Sequence, residues 1–297
     1  MKPIKLILDT DIGDDIDDAF ALAFALNHES LDLVGVTTVF KNTVARAHQV
    51  SKYFDTMGVR HIAICAGEEK PYKQPIHYFD KDTFIDGIVY PPQYEPSYTN
   101  YEFSKESAVD FIIRQAHMFK GELVLVPIGP LTNIARAIQK APELKDSIHK
   151  IVLMGGWFTN PEPEWNILCD PEAADIVFNS GIPVYCVGLD VTLQCTLEKD
   201  YLDLVHTHPS AQSKLLSTWF KRWVEHFHFE KSVMHDPLAV ATLVSDVCDF
   251  ELKRIKVDLV HKRGAIKEDP NGSTIYVATK VDKQAFYQLF KAVLFKD

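Results

Sequence analysis

No apolar run in this 297-residue chain reaches the roughly 18 residues that a helical membrane span requires, so no membrane partner is expected. Glycine is sparse, with 13 residues scattered along the sequence, and nowhere does it build the Gly-rich loop that cradles phosphates. Basic residues are outnumbered: 31 Lys and Arg face 41 Asp and Glu, a net charge of −10, with no basic cluster to reverse the balance. Such a surface repels a phosphate backbone, which removes nucleic acid as a partner. The five cysteines (Cys65, Cys169, Cys186, Cys195 and Cys248) are odd in number and widely spaced. They read as buried thiols of a reducing compartment, not as a disulfide framework or a zinc site. The first residues enter a strand-like run without a signal-peptide pattern, so the expected location is cytoplasmic. Neither a Ser-His-Asp nor a Cys-His pattern supplies a nucleophile.

What the chain does have is aspartate. Between Leu6 and Leu22, Asp9, Asp11, Asp14, Asp15, Asp17 and Asp18 crowd together. The apolar run Ile4–Leu8 predicts a buried strand ending at the first acid, and Ile16, Ala19, Phe20, Ala23 and Leu26 recur at helical spacing. Gly13 permits the sharp turn between the two. A helix N-terminus tolerates negative charge, but not this much. Carboxylates a few Å apart raise one another's pKa unless a positive group sits among them, and a hard divalent cation with oxygen ligands meets that need. The simpler reading is a solvated acidic turn with Asp14 or Asp15 as a helix cap. It loses ground because the acids directly follow a buried strand, where ligands bind in open α/β sheets. An EF-hand does not fit, since Phe20 stands where the closing Glu would be.

Apolar residues make up 46% of the chain and charged ones 24%, the composition of a globular protein with a large core. Strand-like and helical segments alternate through the first two-thirds: a strand over 33–40, a helix from Thr43 to about Met57, a strand over 61–66, a helix from Ser104, and strands over 122–128, 151–154 and 182–188. Gly67–Phe103 breaks the pattern with five prolines and six tyrosines, which predicts a packed cover. Residues 197–245 read as mostly helical, followed by strands near 252–260 and 273–279 and a helix from Asp282. The prediction is α/β: one domain over 1–297, a doubly wound and mainly parallel sheet, with helical additions in the C-terminal third.

In such a sheet the residues just after each strand meet at one edge. Asp9 and Asp11, Asn42, Ile128 with Gly129, and the Gly155–Asn166 loop are thereby gathered. Oxygen donors and amides dominate, and sugar hydroxyls both donate to and accept from such groups. His235-Asp236-Pro237 is a second signal. Read plainly it is a capped helix start with Pro in the first turn; read functionally, Asp236 is a further metal oxygen and His235 a substrate contact.

Asp9-Thr-Asp11-Ile-Gly13 followed by Asp17-Asp-Ala-Phe-Ala-Leu22 resembles the aspartate signature of the inosine/uridine-preferring nucleoside hydrolases. Val34-Gly-Val-Thr-Thr-Val39 with Asn42, Ile128-Gly-Pro-Leu-Thr-Asn133, Met154-Gly-Gly156, Glu164-Trp-Asn166, Asp170-Pro-Glu-Ala-Ala174, Leu189-Asp-Val-Thr192 and His235-Asp-Pro237 resemble further blocks of that family in the same order. The resemblance implies hydrolysis of a ribonucleoside N-glycosidic bond with one Ca²⁺, in a homodimer or homotetramer. It implies that Asp11 is both metal ligand and general base, and that Asp18, Asp236 and the Ile128 carbonyl complete the protein ligands. It also implies that Asp17, Asn42, Glu164 and Asn166 hold the ribose and that His235 faces the base.

Four features depart from the family pattern, one being a short Gly156–Glu164 loop that leaves Asn160 without a clear match to the family's further ribose-contacting Asn. Two extra residues precede the Asp17-Asp18 pair, making Asp15 a further metal candidate. Lys41 stands where Gly often precedes the Asn, and Phe84–Gly87 lacks the His that base-contacting members carry. Two other functions compete with this one. A haloacid-dehalogenase-like phosphatase would use Asp9 and Asp11 but wants a Lys and a later acidic pair. A non-catalytic ribose- or nucleoside-binding homologue would keep the pocket and lack help for the leaving group.

Overall fold

In the computed structural model, which describes residues 2–229 and 231–296, the first strand lies inside a nine-stranded sheet. The elements run β1 (Ile4–Thr10), α1 (Asp17–Asn27), β2 (Leu31–Thr38), α2 (Thr43–Thr56), β3 (Ala63–Ala66), β4 (Thr83–Ile85), β5 (Ile88–Tyr90), α3 (Ala108–Met118), β6 (Leu123–Pro127) and α4 (Thr132–Lys140). They continue β7 (Ile148–Met154), α5 (Trp165–Cys169), α6 (Pro171–Phe178), β8 (Val184–Val187), α7 (Leu189–Thr192), α8 (Lys199–Thr207), α9 (Ala211–Phe227), α10 (His235–Ala241), β9 (Cys248–Val257), β10 (Ile266–Glu268), β11 (Ser273–Val281) and α11 (Lys283–Leu294).

The sheet order is β10-β9-β11-β8-β7-β6-β1-β2-β3. Every pairing from β3 through β11 is parallel, and only β9 against β11 and β10 against β9 are antiparallel. This is the doubly wound, mainly parallel α/β sheet that the alternation predicts. Side chains alternate across it: Leu6 and Leu8 of β1, with Val124 and Val126 of β6, enter one core beneath α1, α9, α10 and α11. Ile7, Leu123 and Leu125 enter the other beneath α3, α4 and α6. Strand order reverses between β1 and β6, and a crevice opens outside their C-terminal ends at such a switch point.

Several boundaries differ from the sequence pattern. β1 continues through Asp9 and Thr10, because the backbone pairs on with Thr37 and Thr38 of β2 whatever the side-chain polarity. α2 starts at Thr43 as expected, and Asn42 caps it, its side chain accepting from Ala45 N–H at 2.9 Å. Ser107, not Ser104, caps α3. The proline-rich stretch is a folded cover carrying the β4–β5 hairpin and a 3-10 turn over Pro96–Asn100. Among the described residues no helix is long and apolar enough to cross a membrane.

Candidate active site

At the C-terminal end of β1 the chain turns through Gly13, whose φ of +111° lies in the region that favours glycine. A Cβ there would stand 2.6 Å from both Gln49 Oε1 and Pro91 Cβ. The turn delivers Asp17 and Asp18 on the first turn of α1. Thr10 Oγ1 donates to Asp18 Oδ1, and the backbone N–H of Asp236, in α10, donates to Asp17 Oδ2 at 3.1 Å. Asp17, Asp18 and Asp236 each present an oxygen within 4.8 Å of the others, and all three are buried. Asp11 joins them from the loop, pressed against the β6 exit: a Cβ on Gly129 would sit 2.7 Å from Asp11 Oδ1.

These groups line a cavity of about 240 Å³ with Asp14, Asp15, Phe79, Ile128, Met154, Glu164, Trp165, Asn166, Leu189 and His235. Burial, then mutual repulsion, holds the carboxyls of Asp17, Asp18 and Asp236 well above the usual carboxylate range. Burial also lifts Asp11, with Arg46 opposing it. Asp9, behind them, is pushed up to about 7 by burial although Thr37 and Asn133 donate to it, and its Oδ2 has no hydrogen-bond partner among the described residues. Packed carboxylates of this kind fit a hard cation, whose charge removes the repulsion.

The two extra acids have different fates. Asp14 is drawn into a buried ion network, with Arg46 at 2.9 Å and Lys41 at 3.1 Å. Burial alone would raise its pKa; the two cations outweigh that and lower it. Arg46 is fully buried and also donates to the carbonyls of Phe40, Asp11 and Ile12, so it braces the acidic turn from behind. Asp15 is exposed at the mouth, accepting from Ile16 N–H.

Glu164 and Asn166 reach the cavity from the loop after β7. Glu164 caps α5, accepting from the N–H groups of Gly156, Asn166 and Ile167. Asn166 Nδ2 donates to the carbonyls of Ile128 and Met154 at 3.0 and 3.2 Å, leaving its amide oxygen for a ligand. His235 Nδ1 lies 2.7 Å from Thr192 Oγ1, and burial pushes the imidazole down to about 4. Asn42 is not among this group. Its Oδ1 caps α2, its Nδ2 donates to Val89 O at 3.0 Å, and it lines a neighbouring cavity of about 470 Å³. In this arrangement one lone pair and one N–H of the amide are engaged by the cap and the hairpin carbonyl.

Phe79 in the lining and Arg46 behind it escaped the sequence reading, while Met154 and Leu189, quoted there within family blocks, were given no role in the site. Arg46 looks like an ordinary helical charge until α2 is docked. Phe79 sits in the cover, whose irregular pattern gives no register.

A model of the family "Inosine-uridine preferring nucleoside hydrolase" matches residues 6–288. The chain belongs to that family. The inosine-uridine preferring nucleoside hydrolase of Leishmania major is 31% identical over 97% of this chain and 96% of its own length. The probable uridine nucleosidase 2 of Arabidopsis thaliana is 33% identical over 80% of this chain and 76% of its own. Among solved structures, the purine-preferring ribonucleoside hydrolase from Gardnerella vaginalis superposes with a TM-score of 0.83 at 32% identity, covering 98% of each chain. Family membership makes the chain an N-glycosyl hydrolase acting on ribonucleosides.

Proposed function

We propose that the protein hydrolyses ribonucleosides to ribose and free base in a Ca²⁺-dependent reaction. The observation that carries this reading is the buried convergence of Asp17, Asp18 and Asp236 within 4.8 Å beside Asp11 at the sheet's switch point. Asp11, Asp18, Asp236 and the Ile128 carbonyl would hold the cation; the all-oxygen donor set suits Ca²⁺. When bound, the cation neutralises the cluster and acidifies water. Asp11 then accepts the proton of the attacking water. Asp17, Glu164 and the Asn166 amide oxygen hold ribose hydroxyls. As the glycosidic bond lengthens, the ribosyl carbon gains oxocarbenium character, and the surrounding carboxylates stabilise that charge where it forms. His235, neutral at pH 7, offers one ring N–H toward the base.

Among the described residues that line the cavity none is Lys or Arg, and the nearby cations are engaged with Asp14 and Asp82. A phosphoester would find no free positive group, which counts against the phosphatase. The test is reducing-sugar release from a panel of inosine, uridine, adenosine, guanosine and cytidine, with and without chelator. Release from at least one nucleoside, lost on chelation and restored by Ca²⁺, is expected. Tight ribose binding by calorimetry with no release from any member would instead identify a binding protein.

A further inference from the structure

Lys41 follows Phe40, and both are non-glycine residues with left-handed backbone, φ +56° and +68°. Such strain persists only where surroundings enforce it; here Phe40 and Lys41 donate their N–H groups to Glu68 O and Glu69 O at 2.8 and 2.9 Å. The strained turn drives the Lys41 side chain, 2% exposed, inward. Its ammonium lies 3.1 Å from Asp14 Oδ2 and 2.7 Å from Asp82 Oδ2. Asp82 closes a turn of the cover: its Oδ2 also accepts from Phe79 N–H at 2.9 Å, while Asp82 N–H donates to Phe79 O at 3.0 Å. The ammonium stands 4.6 Å from the centroid of the Phe79 ring, within cation–π range. Phe79 lines the acid pocket and stacks on Trp165 with centroids 4.2 Å apart and planes 13° off parallel. Trp165 lies between Glu164 and Asn166.

The ion network thus connects the extra aspartate of the acidic turn to an aromatic roof. Asp14 keeps Arg46 as a partner without Lys41, so the acidic turn does not depend on it. The roof leans on it: among the described residues the other polar and ring anchors of residues 79–82 to the body are ring contacts of Phe79 and a Lys81 bond to Phe227 O. Lys41 and Asn42 also line the adjoining cavity.

We propose that Lys41 is a positioning residue that clasps the Phe79–Asp82 roof to the Asp14 turn and thereby sets how tightly the pocket closes on its substrate. This rests on the pocket being the nucleoside site, but the clasp has a readout of its own. A buried ion pair fixes a single arrangement when every partner is satisfied, and loss of one partner frees the segment held by the other.

The experiment is amide hydrogen exchange on the full-length, Ca²⁺-loaded protein, comparing native, Asp82→Asn, Lys41→Met and the double variant. Asp82→Asn keeps the shape and an acceptor for Phe79 N–H while removing the charge, which guards against simple misfolding in Lys41→Met. Exchange over 77–83 is expected to rise about tenfold or more in each single variant, with β1 amides unchanged. The double variant should exchange no faster than the singles, since both remove one contact. With a nucleoside substrate, KM should rise about tenfold with kcat nearly kept, the pattern of lost uniform binding. Unchanged roof exchange in Asp82→Asn and Lys41→Met overturns the clasp, as does a fall in kcat at constant KM. If the native protein cleaves no nucleoside, the nucleoside reading fails while the exchange result still decides the clasp.

Discussion

The backbone N–H of Asp236 donates to Asp17 Oδ2 at 3.1 Å although 219 residues separate them. That single bond joins the start of α10 to the start of α1, the two helices whose first turns carry the buried acids. The site is therefore made only when the N-terminal strand and the C-terminal third have docked. Thr10 holds Asp18, Asp236 holds Asp17, and Gly129 lets Asp11 approach the β6 exit. Each acid is aimed by a neighbour on a different element.

Asp11 is the acid best placed to accept a proton, since Asp17 and Asp18 are engaged by hydrogen bonds. Asp11→Asn keeps an oxygen for a cation and removes the base. The expected loss in kcat is roughly a hundred- to ten-thousandfold, the range for one general base, with an unchanged far-UV spectrum. Steady-state nucleoside hydrolysis measures it, and near-native turnover would remove Asp11 from the chemistry.

Metal removal should couple to pH. Asp9 is raised to about 7, and Asp17, Asp18 and Asp236 are raised well above an ordinary carboxylate. Between the unfolded value near 3.8 and these raised values, the metal-free native state binds more protons than the unfolded chain. Its stability must then fall as pH rises through that window. Chelated protein should lose Tm steadily from pH 5 to pH 8. Calcium, binding only the native state, should raise Tm and flatten the slope. Scanning calorimetry at several pH values checks this; a chelated protein that gains stability with pH would contradict it.

The sheet and the acid cluster were legible because both are written locally. Apolar runs of β-branched residues mark parallel strands, and six aspartates after such a run have few physical explanations. The resemblance then carried Glu164, Asn166 and His235 into the same cavity. The placement of Asn42 beside a neighbouring cavity was not legible: it follows a left-handed turn at Phe40 and Lys41, and its amide bonds a cap and a hairpin carbonyl, neither visible without coordinates. The roles of Asp14 and Asp15 were open for a related reason. Which acid is neutralised depends on Arg46 and Lys41, residues distant in sequence that only the docked α2 and its N-terminal turn bring in. The cover kept its secret because aromatic packing has no period to read.

Gly129→Ala tests the close approach of the β6 exit to Asp11. The new Cβ would lie 2.7 Å from Asp11 Oδ1 and 2.9 Å from Asp11 N, and a backbone atom cannot yield as a flexible side chain does. Overpacking of this kind costs about 1–3 kcal/mol, and shifting the carboxylate by a fraction of an ångström should lower kcat by about tenfold to a hundredfold. Urea titration and kinetics read the two effects separately. A variant with native stability and native kcat would show that Asp11 does not need this contact.

Thr192→Val asks whether the ring of His235 is held for proton donation. Burial pushes this imidazole down to about 4, so at neutral pH it has one N–H and one bare nitrogen. Thr192 Oγ1, 2.7 Å from Nδ1, fixes the ring plane and leaves Nε2 for the ligand. Valine keeps the volume and removes the hydroxyl, so packing changes little while the ring loses its orientation. Purine and pyrimidine bases leave more readily when they accept a hydrogen bond, whereas p-nitrophenolate leaves without one. The variant should therefore lose about tenfold to a hundredfold in kcat on nucleosides and keep its rate on p-nitrophenyl riboside. Equal losses on both substrates would mean that Thr192 supports the pocket's shape and not the leaving group.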